Sequence, residues 1–290
     1  MKKTIVTLVI LIQFSIANCQ TSQKVLPVLK GPYFGQKPPG NIPELFAAGI
    51  VSREGYFEHS AAIFSPDGYE VYWSGKPNGA RYFEIYFLKL INGKWDEPKI
   101  AFSHEGNNFD NPVFSSDGKK LFFNKDSDIW FAERTTDGWT EPVRISSTIN
   151  SGGSLRSITE DGSVYFSRYN ANELNEASKH EIYVSRKTNG NYSQPQKLDK
   201  NINSDDSFEF SAYVAPDESY MVLEASKDKA TCELFVSFRM NDKSWSERKK
   251  LPIQWGRFPS VSPDGKFLFF MTREGIYWVS TKIIEEIRPK

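Results

Sequence analysis

Histidine and cysteine are scarce in this chain of 290 residues, at three and two. Its three histidines, His59, His104 and His180, have no close spacing, so a His-rich metal site is unsupported. Asp126-Ser127-Asp128 and Asp205-Asp206 offer oxygen ligands of the kind Ca²⁺ takes, but a turn accounts better for both. There is no Gly-rich phosphate loop, no Gly-x-Ser-x-Gly elbow and no Cys–His nucleophile pair. Neither a metal nor a cofactor is expected. What remains is the carboxylate pair Asp110 and Glu209, with His59 as a further titratable group. Paired carboxylates can hydrolyse a glycosidic bond, one as the acid and the other as base or nucleophile. A histidine beside them could act as a general base or orient a ligand. The plainer reading is that the carboxylates solvate a rim and that His59 is a hydrogen-bonded strand residue.

The elements that would position these residues are announced by a repeat. Phe64-Ser65-Pro66-Asp67-Gly68 returns as Phe114-Ser115-Ser116-Asp117-Gly118, Ile158-Thr159-Glu160-Asp161-Gly162, Val214-Ala215-Pro216-Asp217-Glu218 and Val261-Ser262-Pro263-Asp264-Gly265. Ser-Pro-Asp-Gly is a tight β-turn, in which Pro presets φ and Gly takes the left-handed conformation. Each copy lies between two short apolar runs, which makes each a hairpin. Glu218 stands where the other copies have Gly, and a left-handed Glu costs about 1–2 kcal/mol.

With Ser65, Ser115, Thr159, Ala215 and Ser262 as markers, the spacings are 50, 44, 56 and 47 residues. Periods of this size with four strand-like runs each describe propeller blades. The third run repeats as Glu84-Ile85-Tyr86, Asp128-Ile129-Trp130, Glu181-Ile182-Tyr183, Glu233-Leu234-Phe235 and Gly275-Ile276-Tyr277. The fourth opens with Trp95-Asp96-Glu97-Pro98, Trp139-Thr140-Glu141-Pro142, Tyr192-Ser193-Gln194-Pro195 and Trp245-Ser246-Glu247-Arg248. The last unit lacks this fourth run, and Ile42-Pro43-Glu44-Leu45-Phe46-Ala47 resembles it. The expectation is therefore an all-β, five-bladed β-propeller of four antiparallel strands per blade, with an N-terminal strand closing the last blade. Such closure hides sheet edges. A six-bladed ring that uses residues 21–50 for an extra blade is the alternative. The polar insertion from Tyr169 to Lys179 reads as a surface loop.

Propellers hold ligands at one end of the channel, where inner strands and inter-blade loops converge. The innermost strand precedes each Asp-Gly turn. Counting seven or eight residues back gives His59, Ser60, Asp110, Ser154, Glu209 and Arg257. The ends of the second runs add Lys76, Asn124, Lys125, Arg168, Glu224 and Arg273. From this set His59, Asp110, Arg168, Glu209 and Arg257 are the expected ligand-binding residues, with Asp110, Glu209 and His59 the catalytic candidates. Arg156 and Arg257 are placed to pair with Asp110 or Glu209 across the channel.

Residues 1–19 read as a signal peptide: Met1-Lys2-Lys3, an apolar stretch from Ile5 to Ile12, and a cleavage zone ending at Cys19. Ile16-Ala17-Asn18-Cys19 also resembles a lipobox, which would make Cys19 a lipid anchor. Residues 20–42, rich in Pro and Gly, read as an irregular but ordered lead-in, and 43–290 as the propeller. Nothing after the first 20 residues is long and apolar enough to span a membrane. Cys232, left without a partner, reads as a buried thiol. Lys plus Arg and Asp plus Glu both number 36, so net charge gives no argument for nucleic acid.

The repeated Phe-Ser-Pro-Asp-Gly turn and the Asp128-Ile129-Trp130 type of run resemble the TolB-type, WD-like β-propeller repeat of exported bacterial proteins, over about 240 residues. Gly31-Pro32-Tyr33-Phe34-Gly35-Gln36 and Ile276-Tyr277-Trp278-Val279 resemble a subset of exported propellers with this repeat. The resemblance implies a periplasmic or extracellular interaction module and carries no catalytic residue across. The expected partner is a protein or glycan of the cell envelope. A carbohydrate-active hydrolase or lyase using rim carboxylates is the alternative.

Overall fold

A computed structural model describes residues 29–102, 106–150, 153–169, 179–228 and 230–289. The signal segment with Cys19, His104 and most of the Tyr169–Lys179 insertion lie outside them. Five antiparallel sheets form the ring, each based on four strands that run from the channel outward. Blade 2 is the plainest, with Phe109–Phe114 innermost, then Lys120–Lys125, Asp128–Glu133 and Val143–Arg144. Blade 3 uses Gly153–Ile158, Val164–Tyr169, His180–Ser185 and Gln196–Lys197. Blade 4 uses Phe208–Val214, Tyr220–Ser226, Glu233–Phe238 and Lys249–Lys250. In blade 1 the inner strand is broken into Tyr56–Glu58 and Ile63–Phe64, followed by Glu70–Pro77, Glu84–Ile91 and Lys99–Phe102.

Blade 5 takes Arg257–Val261, Phe267–Thr272 and Gly275–Ser280 from the C-terminal part and its outer strand, Glu44–Leu45, from the N-terminal part. Glu44 pairs with Trp278 and Leu45 with Tyr277. The ring therefore closes at five blades, as the missing fourth run implies, and residues 29–50, the described part of the lead-in, build no sixth. Ahead of that strand a short 3₁₀ turn, Pro32–Gly35, buries Phe34 and lays Tyr33 on Phe64, Phe267 and Trp278.

Each Asp-Gly turn is tied the same way. Ser65 Oγ donates to Asp67 Oδ1 (2.5 Å) and accepts from Glu70 N–H (2.9 Å), while Asp67 Oδ1 accepts from Tyr69 N–H (3.0 Å). Ser115–Asp117, Thr159–Asp161 and Ser262–Asp264 repeat the hydroxyl bond. In the fourth copy Glu218 does sit in the left-handed region, at φ 59°. Its carboxylate accepts from Tyr165 Oη (2.7 Å) and pairs with Arg186 and Arg239.

The core is layered between blades rather than central. Phe46, Phe64, Trp73, Phe269 and Trp278 join blade 5 to blade 1. Tyr72, Phe109, Phe114 and Phe123 join blades 1 and 2, and Phe122, Ile129, Leu155 and Phe166 join blades 2 and 3. Tyr165, Ile182, Val214 and Trp245 fill the next junction, and Val222, Leu234, Leu268 and Phe270 the last. Every junction therefore excludes water with the same kind of large side chain, which holds the sheets face to face.

Candidate functional site

All five inner strands carry a register break about half-way along. It falls between Asp110 and Val113, Leu155 and Ser157, Glu209 and Ser211, and Arg257 and Ser260, and in blade 1 between the two strand pieces. A bulge leaves a residue unpaired and re-aims the side chains beside it. Asn111 and Phe258, which occupy the same repeat position at two of these breaks, both have φ 49°. Strained inner-strand backbone at this level collects side chains from several blades around the axis.

His59 stands at the centre of that collection. Its Nδ1 lies 3.4 Å from Asp110 Oδ2 and is itself shielded from water without a hydrogen bond, while the two side chains are 26% and 18% exposed. Asp110 Oδ1 also accepts from Asn111 Nδ2 at 3.1 Å. The His59 ring stacks on Phe83 with centroids 4.4 Å apart, and Phe258 lies 4.9 Å away on blade 5. Beyond Phe258 come Arg257 and Arg156, 4.8 and 5.5 Å from its ring centroid. Arg257 Nε donates to Glu224 Oε1 (2.7 Å), whose other oxygen accepts from Phe258 N–H (3.1 Å). Asn124 occupies the same repeat position as Glu224, and its side-chain oxygen likewise takes the N–H of Leu155 on the next blade, at 2.9 Å. Glu224 is thus a clamp between blades as well as the counter-ion of Arg257.

His59, Asp110, Arg257 and, through Phe258, Arg156 are therefore brought together. Glu209 and Arg168 are not part of this group. The Glu209 side chain is fully buried, accepts from Ser207 Oγ (2.6 Å), and pairs with Arg248 (2.8 Å), which leads into the outer strand. Burial raises its carboxyl above the ordinary range, and the Ser207 and Arg248 bonds pull the other way. The bulge after Glu209 instead brings Phe210 to within 5.9 Å of Arg257. Arg168 lies along the Phe166 and Tyr183 rings of its own blade, at 5.7 and 5.4 Å. Arg257 has its carboxylate partner, but in Glu224 rather than in Asp110 or Glu209.

The mouth itself is a cavity of about 460 Å³ between blades 1, 2 and 3, lined by Phe83, Asn108, Asp110, Asn124, Asp126 and Ser154 among others. Asp126, at φ 55°, has one carboxylate oxygen tied to Asn108 N–H at 3.0 Å. Phe83, Asn108, Asp126 and Phe258 are among the site residues that counting along the repeat does not reach. Phe83 and Asn108 lie just before a strand, and the turned backbone at Phe258 has no glycine to signal it. Among the described residues no group of three or more His, Cys, Asp or Glu side chains could hold a metal. Cys232 is buried as expected, and burial pushes its thiol up to about 11, the wrong direction for a nucleophile.

Closed ring, layered junctions and bulged inner strands together define a five-bladed β-propeller with a polar channel mouth. No protein-family model matches the chain, and no curated protein does. Among solved structures the fold is similar to TolB from Acinetobacter baumannii, at 19% identity and a TM-score of 0.52, covering 79% of this chain and 52% of that one. It is also similar to a protein of unknown function from Dyadobacter fermentans (12%, TM-score 0.53, 83% and 82% covered). A chain in a nidogen–laminin complex has a similar fold (14%, TM-score 0.52, 88% and 89% covered). This chain spans about half the length of the TolB chain. At such identities the likeness is one of fold, and it agrees with the TolB-type repeat in the sequence.

Proposed function

We propose that this protein is an exported binding module of the bacterial cell envelope and that its channel mouth takes a hydroxyl-rich ligand, a glycan. The observation that carries this reading is the make-up of the mouth cavity. Amide, carboxylate and hydroxyl groups of Asn108, Asp110, Asn124, Asp126 and Ser154 share it with one aromatic ring, Phe83. Such a wall offers many hydrogen bonds and a stacking face, and a volume of about 460 Å³ suits one or two sugar rings. The Asp110 carboxylate, 18% exposed, adds a charged acceptor, with His59 beside it at the edge. Export rests on the N-terminal segment and on the TolB-type resemblance. No helix among the described residues is long and apolar enough to cross a membrane.

A glycan and envelope-polymer binding screen tests this reading. Asp110→Asn and His59→Ala should each weaken the captured glycan about tenfold or more, since each removes a bond to a charged group. Capture that both variants leave unchanged would place the ligand elsewhere. A hydrolase reading has one observation in its favour, because Asp110 and Asp126 line the same cavity. In that case glycan would be cleaved, and both Asp110→Asn and Asp126→Asn would abolish product. Binding without turnover supports the module.

A further inference from the structure

The flank of the ring between blades 4 and 5 holds a cavity of about 750 Å³, larger than the mouth cavity and sharing no lining residue with it. Its walls are apolar: Ile42, Pro43, Pro252, Trp255, Phe270 and Tyr277. This character comes from the seam. Glu44 pairs with Trp278 as Lys249 pairs with Val236, so Ile42 and Pro43 stand where blade 4 has Glu247 and Arg248. By the same register the equivalents of Ile42 are Glu97, Glu141 and Gln194 in blades 1, 2 and 3. One repeat position is therefore Glu or Gln in four blades and Ile in the fifth, where the side chain is 78% exposed. The matching cleft between blades 3 and 4 is lined by Glu247, Arg248, Lys250, Lys200, Lys227 and Glu233 among others.

The polar edge of the apolar cleft offers both donors and acceptors. Arg273 lies 5.5 Å from the Trp255 ring centroid and donates one long bond, to Ala230 O at 3.4 Å. No carboxylate pairs with it among the described residues. Glu274 accepts from Tyr277 Oη at 2.7 Å, and Thr231 and Gln254 are exposed beside this pair. An extended peptide uses such an edge, because each residue presents one N–H and one C=O. A fatty acid would face Glu274 as well as Arg273. A sugar ring stacks on aromatic faces and makes little use of Ile42, Pro43 and Pro252. Trp, Tyr and Arg concentrate at protein–protein hot spots, whereas Lys and Glu are depleted there. Compared with its counterpart between blades 3 and 4, this cleft has exchanged the second group of residue types for the first.

We infer that the cleft between blades 4 and 5 docks an extended segment of a partner protein. An aromatic or branched aliphatic side chain anchors it against Ile42, Trp255 and Tyr277, and its backbone lies along Arg273 and Glu274. The volume is within the range of roughly 300–1,000 Å³ usual for ligand pockets. This site does not depend on the glycan reading of the mouth.

Panning the whole protein with a displayed library of random peptides about 12 residues long tests the inference, followed by calorimetry with the selected peptides made synthetically. These should share an aromatic or branched aliphatic residue and bind with a Kd below about 100 µM. Ile42→Glu should weaken them about tenfold or more. That variant should fold normally, since an exposed position receives the residue type found there in three other blades. Trp255→Ala should weaken them as much; if it does not fold, Ile42→Glu decides. Val143→Glu, a matched change at a 53% exposed side chain on blade 2, should leave the affinity unaltered. Peptides that bind Ile42→Glu as tightly as the wild type overturn the proposal, as does a library that yields no binder. Maltohexaose or octyl glucoside that binds the wild type and is lost in Ile42→Glu, where no peptide binds, would assign the cleft to a sugar or an alkyl chain and overturn it too.

Discussion

Glu218 shows how a single residue can break the repeat and still serve it. Four copies of the turn place Gly in the left-handed position, whereas here a Glu is held at φ 59°. That conformation costs about 1–2 kcal/mol for a residue with a Cβ. The carboxylate offsets it by accepting from the hydroxyl of the buried Tyr165 and pairing with Arg186 and Arg239, which ties blade 3 to blade 4. Glu218→Gly should therefore destabilise the protein by about 1–2 kcal/mol despite relieving the backbone. Glu218→Gln should cost less. Urea unfolding of both variants checks this; a more stable Glu218→Gly would mean that strain outweighs the ion pairs. The residue scale is also where sequence reading loses resolution. His59, Asp110 and Arg257 come out at the channel by counting back from the turns. Glu209 lies eight residues before Asp217, whereas Asp110 and Arg257 lie seven before Asp117 and Asp264, so Glu209 is turned inward to Arg248 and Phe210 takes the place near Arg257. A shift of one residue exchanges the faces of a strand, and a count of seven or eight does not tell them apart.

At the scale of the element, alternation and turn chemistry carry most of the fold. The hairpins, the third-run signature and the missing fourth run are all visible in the chain, and the strand Glu44–Leu45 pairs where that gap requires. The broken inner strand of blade 1 is not visible, since Ser60-Ala61-Ala62 reads as ordinary strand sequence. The N-terminal strand is held less by its two paired residues than by the residue that follows. Phe46 is fully buried, its N–H reaches Ile276 O at 2.8 Å, and its ring meets Phe34, Phe64, Phe269 and Trp278. Phe46→Ala should cost about 3–5 kcal/mol, the usual penalty for emptying an aromatic core site. Ile42→Ala, at a side chain 78% exposed, should stay within about 0.5 kcal/mol. A denaturant midpoint for each variant separates the two expectations.

At the scale of the whole molecule, the repeated turn acids link stability to pH. The Ser115 hydroxyl, then the Lys119 N–H, hold the Asp117 carboxyl below its ordinary value. At Asp67, Asp161 and Asp264 burial opposes ionisation, and the Ser or Thr hydroxyl and backbone N–H bonds outweigh it. Folded values below the unfolded ones mean that these turns stabilise the ring at neutral pH. The contribution is lost as pH falls through and below about 4. Glu58 and Glu209, raised chiefly by burial, act in the opposite sense and soften the decline. Urea midpoints measured from neutral pH to about pH 3 should therefore drop, and a variant with Asp67, Asp117 and Asp264 all changed to Asn should show a flatter acid limb. A parent and a triple variant with the same acid limb would refute the linkage. The seam at Glu44 and Trp278 also sets a schedule. A ribosome adding about 5–20 residues per second makes the first of these residues roughly 10–50 s before the second. Through that interval four blades can form while the fifth waits for its outer strand, with Phe46 and its aromatic partners unmet. The newborn chain is thus an open arc with one raw sheet edge. It becomes a ring only when its latest-made sheet arrives to receive its earliest-made strand.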